Sequence, residues 1–211
     1  MSTTRPKSQT EQHALRMAPD ARRAHLLAIG AAAFGACAYE EVQIDQIAQQ
    51  AGVSRGLLYH YFPGKRQFFA AIIQEGYDEI LKVTQPDPAL PPGVQLLVGL
   101  EAYLDHVLAH PHTYRALFRS AASAERSIQE VVQRNLDEQA RRILAGLGRD
   151  AQADALGHLA VRSWLAFLVH AVLDWLDHPD KLGKAQLIEL CLGALQGAVH
   201  AAAHAADKMQ A

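Results

Sequence analysis

The chain has 211 residues, of which half are apolar, and carries a formal net charge of −2 at pH 7. This composition can bury a sizeable core and excludes an intrinsically disordered protein. Residues 1–66 hold eight Lys or Arg against five Asp or Glu, a net charge of +3, whereas residues 67–211 hold twelve against seventeen, a net charge of −5. We therefore expect only the N-terminal part to meet a polyanion.

The first part of the chain is a polar arm followed by four predicted helices. Residues 1–18 are polar and irregular, which predicts a mobile arm. Pro19 and Asp20 open a helical apolar pattern, Ser54 can cap a short helix, and Pro63-Gly64 ends that helix. The predicted helices run from Pro19 to near Tyr39, around Ile44 to Ala48, from Arg55 to Tyr61, and from about Lys65 to Val83.

A segment with four prolines, residues 84–93, separates this part from longer helical patterns. No segment alternates apolar and polar residues as a strand would, so the sequence predicts an all-α fold of about nine helices. The architecture is a small N-terminal helical bundle followed by a larger C-terminal one. The longer helices are predicted at about residues 92–109, 112–122, 125–147, 151–178 and 183–205.

The compartment is predicted from the cysteines and from the apolar runs. Cys37 and Cys191 both lie in apolar sequence, which favours buried free thiols in a reducing cytoplasm over a disulfide framework. The chain starts without an apolar leader, and its longest uncharged run, residues 190–206, is rich in Gly, Ala and His rather than Leu and Ile. We expect a soluble cytoplasmic protein that does not enter a membrane.

The stretch from Ile44 to Tyr61 has the spacing of a helix-turn-helix, in which the second helix lies in the DNA major groove. Gly52 allows a tight turn, Val53 can pack between the two helices, and Ser54 can cap the second helix. An ordinary helical hairpin would also fit this spacing.

The wider string "IDQIAQQAGVSRGLLYHYFPGKRQFFAAI" closely resembles the DNA-binding domain of the TetR family of transcriptional regulators. The resemblance covers about residues 20–75. It implies a helix-turn-helix DNA-binding domain and a C-terminal domain that binds a small effector and forms a homodimer. The predicted parts are a mobile arm at 1–18, the helix-turn-helix domain at 19–66, a connecting helix at 67–83, and the ligand-binding and dimerisation domain at 84–211.

The resemblance also implies which side chains meet DNA. Arg55, Gly56 and Leu57 would face base edges at the start of the recognition helix, where a guanidinium can bind guanine O6 and N7 together. Tyr61 and Phe62 would pack inward. The predicted DNA-binding residues are Gln43, Ser54, Arg55, Gly56, Leu57, Tyr59, His60 and Lys65, with Lys65 on a phosphate at the start of the fourth helix. Gln43 departs from the threonine that usually caps the second helix, and Leu57 departs from a frequent threonine.

The last two predicted helices carry a pattern that suits dimerisation. Gly193, Gly197, Ala201 and Ala205 recur every four residues, and such a stripe of small residues lets another helix approach closely. The preceding helix, around residues 164–176, is apolar on nearly every side and must be covered. The predicted interface residues are Leu187, Cys191, Ala194, Gly197 and Ala201.

The effector site is predicted from aromatic and polar residues of the C-terminal part, and the effector itself is not identified. A mostly apolar pocket would carry a few polar groups. His170 is either a ligand contact or a partner of Asp174 within the interface. The predicted pocket residues are Tyr103, His106, Tyr114, Arg115, Phe118, Trp164, Phe167 and His170.

The sequence gives less support to other functions. His106 with His110 and His200 with His204 have the spacing of a metal pair on a helix, but nearby Cys or carboxylate ligands do not complete either pair, so no metal or cofactor is expected. An enzyme is not expected, because the sequence has no nucleophile elbow, phosphate loop or acid–base set. The preferred function is a homodimeric repressor that binds a palindromic operator and is released by a small, mostly apolar ligand. The alternatives are a regulator without a ligand, a metal-responsive regulator or a helical metal-dependent enzyme.

Overall fold

The computed structural model describes residues 17–120, 126–150 and 154–210. Within these residues the protein contains nine α-helices and no strand, which confirms the predicted all-α fold. The helices are α1 (Pro19–Ala36), α2 (Ile44–Gln50), α3 (Arg55–Tyr61), α4 (Lys65–Val83), α5 (Pro92–Ala109), α6 (Pro111–Arg115), α7 (Arg126–Gly146), α8 (Ala155–Asp177) and α9 (Lys184–Gln210). A 3₁₀ turn, Tyr39–Glu41, precedes α2, and a π-helical turn, Ala116–Ser120, follows α6. Residues 1–16 of the predicted mobile arm lie outside the described residues.

The predicted helix boundaries hold closely for most helices. The exceptions are the last helix, which continues to Gln210 rather than residue 205, the helix predicted at 112–122, which is α6 followed by the π-helical turn, and the end of the first helix. The first helix was expected to continue to Tyr39, but α1 ends at Ala36 and Cys37 is extended, with φ −147°. The chain leaves the helix so that Tyr39 can turn back into the core, where its ring stacks on Phe34 with the centroids 5.8 Å apart. Tertiary packing of one aromatic ring therefore ends this helix early.

The described chain divides into two compact units. The N-terminal unit contains the described residues up to Gly76 together with residues 112–131, and the C-terminal unit contains residues 77–111 and those from 132 onward. The polypeptide passes between the units within α4, near the start of α6 and within α7. The domain limits predicted at residues 66 and 83 concern parts of the chain that would fold independently. They remain predictions.

An aromatic cluster forms the core of the N-terminal unit. The rings of Phe34 and Phe69 lie 4.4 Å apart, and those of Phe62 and Phe68 lie 4.6 Å apart. Helix α1 comes close to α4 at Gly30, where an added Cβ would lie 2.4 Å from the ring of Phe68. Fully burying a phenylalanine contributes about 1.5–3 kcal/mol, so each ring of this cluster stabilises the unit substantially.

In the C-terminal unit α8 packs along α9. The indole nitrogen of Trp164 donates a hydrogen bond of 2.8 Å to the carbonyl oxygen of Cys191, and the side chains of Val161, Leu165 and Leu187 are buried. Arg162 on α8 pairs with Asp137 on α7. Because a buried indole N–H needs an acceptor, the Trp164 bond fixes which side of each helix faces inward.

The cysteines differ from the sequence expectation. Both thiols are free, but only Cys191 is buried, and burial raises its pKa to about 11. The prediction that Cys37 is buried is wrong: it is exposed just after the last turn of α1, where its Sγ donates to the carbonyl oxygen of Ala33 at 3.5 Å. The exposure follows from the early end of α1.

Helix α8 is the one described helix that is long and apolar enough to cross a membrane by length and composition alone, with a mean hydropathy of 1.5 over its most apolar window. Core helices of soluble proteins also meet this criterion. One face of α8, with Val161, Leu165 and Leu168, is buried in the C-terminal unit.

Candidate DNA-binding surface and ligand cavity

The turn between α2 and α3 is held by short-range backbone contacts. Gly52 has φ +64°, a left-handed conformation that glycine adopts without strain. Its N–H donates to Gln49 O at 3.1 Å, and the N–H of Val53 donates to Ala48 O at 3.0 Å. The hydroxyl of Ser54 accepts from Leu57 N at 3.1 Å, which confirms the predicted cap of α3.

Two buried side chains hold α3 on the aromatic core. Leu58 is fully buried and Phe62, just after the helix, is 4% exposed. Tyr61 is half-buried, and its hydroxyl accepts a hydrogen bond from Arg22 on α1 at 3.3 Å. The inward packing predicted for Phe62 is therefore confirmed, whereas Tyr61 keeps its polar end at the edge of the core.

The opposite face of the helix-turn-helix is open to solvent. A Cβ added at Gly56 would meet no atom within 4 Å. Of the residues predicted to contact DNA, Gln43, Ser54, Arg55, Gly56 and His60 are exposed, and Leu57, Tyr59 and Lys65 are half-buried. The structure thus places all eight in the helix-turn-helix or at the start of α4.

Arg55, at the start of α3, is held by two neighbours. Its guanidinium lies 2.9 Å from the carboxylate of Asp45 on α2, and its Cζ lies 5.4 Å from the ring centre of Tyr59. A hydrogen bond with Tyr59, followed by the negative charge of Asp45, raises the pKa of Arg55. The sequence did not identify Asp45 as a partner, because ten residues and a turn separate the two.

Lys65 has a structural contact at the start of α4. Its ammonium donates to Glu40 O at 3.1 Å and lies 4.8 Å from the ring centre of Tyr39. Such a cation–π contact contributes about 0.5–1 kcal/mol at an exposed site. Lys65 therefore secures the 3₁₀ turn in addition to its predicted phosphate contact, since an ammonium has three donors.

Gln43 lies at the start of α2 but does not cap it. No side-chain hydrogen bond caps this helix, and the Gln43 amide oxygen instead accepts from Gln46 Nε2 at 3.3 Å. The missing cap agrees with the sequence, in which Gln43 stands in place of the threonine that usually caps this helix.

The C-terminal unit contains a cavity of about 150 Å³. Its wall is mostly apolar and comes from four helices, the end of α4, α5, α7 and α8, and from the segment between α4 and α5. The residues that line it are Ile80, Leu81, Thr84, Pro86, Pro92, Gln95, Leu96, Gly99, Leu100, Tyr103, Gln139, Arg142, Ile143, Gly146, Leu147, Trp164, Leu165 and Leu168.

Two of the predicted pocket residues, Tyr103 and Trp164, line this cavity, and the other six do not. Phe167 is 38% exposed, His170 is exposed, and His106 is half-buried elsewhere on α5. The remaining three, Tyr114, Arg115 and Phe118, belong to the N-terminal unit, where the rings of Tyr114 and Phe118 lie 4.8 Å apart.

The sequence missed Gln139 and Arg142 on α7. They lie one turn apart on the side of the helix that carries Ile143, so their helical spacing next to an apolar stripe was the available signal.

The residues of the predicted dimer interface do not all face the same way. Leu187 and Cys191 are buried within the chain, whereas Gly197 and Ala201 are exposed and Ala194 is half-buried. A Cβ added at Gly197 would meet no atom within 4 Å, and the same holds at Gly193. The stripe of small residues therefore lies on the outside of the protomer.

Within the part of the chain that the structure describes, the histidine pairs do not belong to a larger metal-binding group. The rings of His106 and His110 lie 4.7 Å apart, and burial, followed by the charge of His110, lowers the pKa of His106. Among the residues that the structure describes, no group of three or more His, Cys, Asp or Glu could hold a metal ion. Asp174 pairs at 3.3 Å with His178, one turn after it, rather than with His170, one turn before it.

Comparisons with known proteins agree with this geometry. Residues 26–72 match the family model described as bacterial regulatory proteins, tetR family, and residues 92–195 match the tetracyclin repressor-like C-terminal domain. The chain is 24% identical over 177 residues to the HTH-type transcriptional activator FasR of Mycolicibacterium smegmatis, covering 82% of this chain and 81% of FasR. It is 27% identical over 123 residues to the HTH-type transcriptional regulator EthR of the same organism, covering 54% and 55%.

A solved structure of similar fold is that of a tetR-family transcriptional regulator from Streptomyces coelicolor. It has a TM-score of 0.76 and 29% identity, and the match covers 92% of this chain and 87% of that one. The two family models together span most of the chain, and the relatives are regulators of transcription rather than enzymes. The chain therefore belongs to the TetR family of DNA-binding transcriptional regulators, in which an N-terminal helix-turn-helix precedes a helical C-terminal domain.

Proposed function

We propose that this regulator acts in the cytoplasm as a homodimeric repressor that binds a palindromic operator and is released by a small, mostly apolar ligand. The observation that carries the proposal is the two-sided construction of α3. Leu58 and Phe62 anchor the helix in the aromatic core, while Arg55, Gly56 and His60 face solvent. A rigid helix with an exposed guanidinium near its start can enter the major groove and read a guanine.

The proposed DNA contacts divide by chemistry. Arg55, Gly56 and Leu57 would face base edges, and Lys65 would bind a phosphate at the N-terminus of α4, where the helix dipole also favours an anion. Gln43, Ser54, Tyr59 and His60 would add contacts to the backbone or bases. Base contacts would determine the sequence that is bound, and phosphate contacts would set the position of the protein on it.

The proposed dimer uses the outer faces of α8 and α9. Phe167 on α8 and Leu190 on α9 are 38% and 51% exposed, and Gly193 and Gly197 leave open space along α9. Large exposed apolar side chains beside a row of small residues suit close packing of helices from a second copy. Because a two-fold dimer presents two symmetry-related recognition helices, the operator would be an inverted repeat.

The cavity of the C-terminal unit is the proposed effector site. Its mostly apolar lining with a few polar groups is the usual composition of a small-molecule pocket. A ligand that favours a conformation with weaker DNA binding would release the operator, because a ligand shifts an equilibrium by its difference in affinity for the two states.

A transcriptional activator is the second candidate, since FasR is named as one. A reporter gene placed behind the operator separates the two. Expression should fall when a repressor is present and rise when an activator is present.

Gly197→Leu tests the dimer and its role in operator binding. Inserting a bulky side chain into a closely packed interface typically costs about 1–3 kcal/mol. At a two-fold interface both copies carry the substitution, so this cost applies twice. We expect a folded monomer by sedimentation that binds an operator, selected from random duplexes, far more weakly than the wild type. Linking two half-sites raises the effective concentration of the second, and a monomer loses that gain.

Gly93→Leu is the matched control, because a Cβ at Gly93 also meets no atom within 4 Å but lies at the start of α5. It should remain dimeric with unchanged operator affinity. A Gly197→Leu variant that stayed dimeric and bound the operator normally would place the interface elsewhere. Footprinting that found a single asymmetric half-site bound at full affinity would contradict the palindromic operator.

A further inference from the structure

The wall of the C-terminal cavity carries one charged side chain among the described residues that line it, Arg142. No Asp or Glu is among those described residues. The other polar groups are neutral at pH 7, and some are already occupied: the Thr84 hydroxyl donates to Ile80 O at 2.7 Å, and the Gln95 amide donates to Leu90 O at 2.6 Å. Arg142 therefore gives an otherwise apolar cavity a local positive charge.

The hydrogen bonds of Arg142 leave its guanidinium able to accept a stronger partner. Both terminal nitrogens donate to the same carbonyl oxygen, that of Leu81, at 3.4 Å. This is longer than the roughly 2.9–3.0 Å of a typical N–H···O bond. Arginine has five N–H donors in a fork that matches a carboxylate.

Nearby arginines differ from Arg142, because they are paired with carboxylates. Arg141, the next residue, pairs with Glu138 at 2.7 Å, and Arg162 pairs with Asp137 on α7. Arg141 is also exposed to solvent, whereas Arg142 is half-buried. A guanidinium that is partly removed from water and held on a neutral carbonyl gains most from an anion brought by a ligand.

The volume of the cavity limits the apolar part of the ligand. A cavity of about 150 Å³ lined by leucine, isoleucine and aromatic groups accommodates a body of about the size of benzene. Leu100, Leu165 and Ile143 form such a lining here. The part of the ligand that lies inside the cavity is therefore about the size of a short aliphatic chain or a single ring.

We propose that the effector is a compact organic carboxylate, whose apolar body occupies the cavity and whose carboxylate binds Arg142 in place of Leu81 O. The proposal rests on the proposed function, because it assigns the chemical class of the ligand at that same site. Arg142 is then the residue that selects anionic ligands over neutral ones of the same shape.

Hexanoate and hexanamide test this assignment, because they differ in charge and hardly in size. Calorimetric titration of the full-length protein should show hexanoate binding about tenfold or more tightly than hexanamide, the difference expected for charge-assisted hydrogen bonds. Arg142→Gln should remove this preference, and Arg142→Lys should restore part of it. Arg141→Gln is the matched control and should keep the full preference.

The folded state of each variant is checked by circular dichroism and urea unfolding. Equal binding of hexanoate and hexanamide by the wild type would overturn the proposal, and so would an undiminished preference in folded Arg142→Gln.

Benzene separates this failure from failure of the proposed function. If benzene binds and releases the selected operator while hexanoate does not, the effector site stands and the carboxylate assignment is overturned. If none of the three compounds binds, the effector site itself is wrong. If hexanoate binds with the Arg142-dependent preference but the operator complex is unaffected, the carboxylate site stands and the ligand-release function fails.

Discussion

The two units of this protein arrange polar and apolar atoms in opposite ways. The N-terminal unit fills its interior with the rings of Phe34, Phe62, Phe68 and Phe69 and exposes a guanidinium, Arg55, on its surface. The C-terminal unit leaves a cavity among its apolar side chains and places a guanidinium, Arg142, in the cavity wall. One arrangement gives an exposed basic surface suited to a large polyanion, and the other gives a partly open pocket, which is the proposed site of a small molecule.

This difference teaches where each unit can tolerate change. A close-packed interior has no room to relax, so losing atoms from it reduces stability directly. A unit that already contains a cavity can alter its ligand preference while its helices remain packed. We therefore expect substitutions in the aromatic cluster to impair folding and DNA binding together. Substitutions in the cavity wall should change only the response to the proposed effector.

The largest expected effect tests the rigidity of the aromatic cluster. Phe69 is fully buried, with its ring 4.4 Å from that of Phe34. Phe69→Ala should lower the free energy of unfolding by about 3–5 kcal/mol, because it leaves a cavity in a close-packed core. Urea unfolding followed by circular dichroism measures this loss. Leu108→Ala, at a 48% exposed side chain of α5 in the other unit, is the control and should cost far less. A similar loss of stability in both variants would contradict the comparison.

The next effect separates base reading from phosphate binding. Arg55→Ala should cost about 1–3 kcal/mol of operator binding, selectively at one base pair. Lys65→Ala should weaken binding to all duplexes similarly and reduce the slope of the salt dependence by about one. Binding titrations on operator variants at several salt concentrations measure both. Equal losses across every sequence for both variants would show that the assigned roles are wrong.

A smaller effect tests the turn of the helix-turn-helix. Gly52→Ala should destabilise the protein by about 1–2 kcal/mol, because its φ of +64° brings a Cβ too close to the backbone. Gly56→Ala should instead be neutral or stabilise by up to about 1 kcal/mol, because Gly56 lies within α3 and a Cβ there meets open space. Urea unfolding compares the pair, and a destabilisation at Gly56 equal to that at Gly52 would refute this account of the turn.

The smallest effect concerns the partner of Arg55. The exposed Arg55–Asp45 pair should contribute little to stability, because solvent screens the attraction between the two charges. Asp45→Asn frees the guanidinium to bind any phosphate, so we expect affinity for non-operator DNA to rise by a few-fold and the specificity ratio to fall. Asp20→Asn, on α1, is the control for the loss of one negative charge. The role of Asp45 is disproved if both variants change non-specific binding equally.

The sequence by itself determined the parts of the protein that depend on neighbouring residues. The left-handed Gly52, the Ser54 cap and the all-α pattern follow from residue types within a few positions of one another. The contacts of that turn span three to five residues along the chain. This locality explains why the predicted helix-turn-helix agrees closely with the structure.

Only the tertiary structure decided the features that join distant residues. Tyr39 ends α1 early because its ring fits the core, Asp45 holds Arg55 across a turn, and Lys65 reaches Glu40 across 25 positions. Helical periodicity shows that α9 has an inner and an outer side, but the Trp164–Cys191 bond decides which one is buried. The cavity is built by four helices at once, so the packing of their side chains, rather than any local pattern, placed Arg142 in its wall.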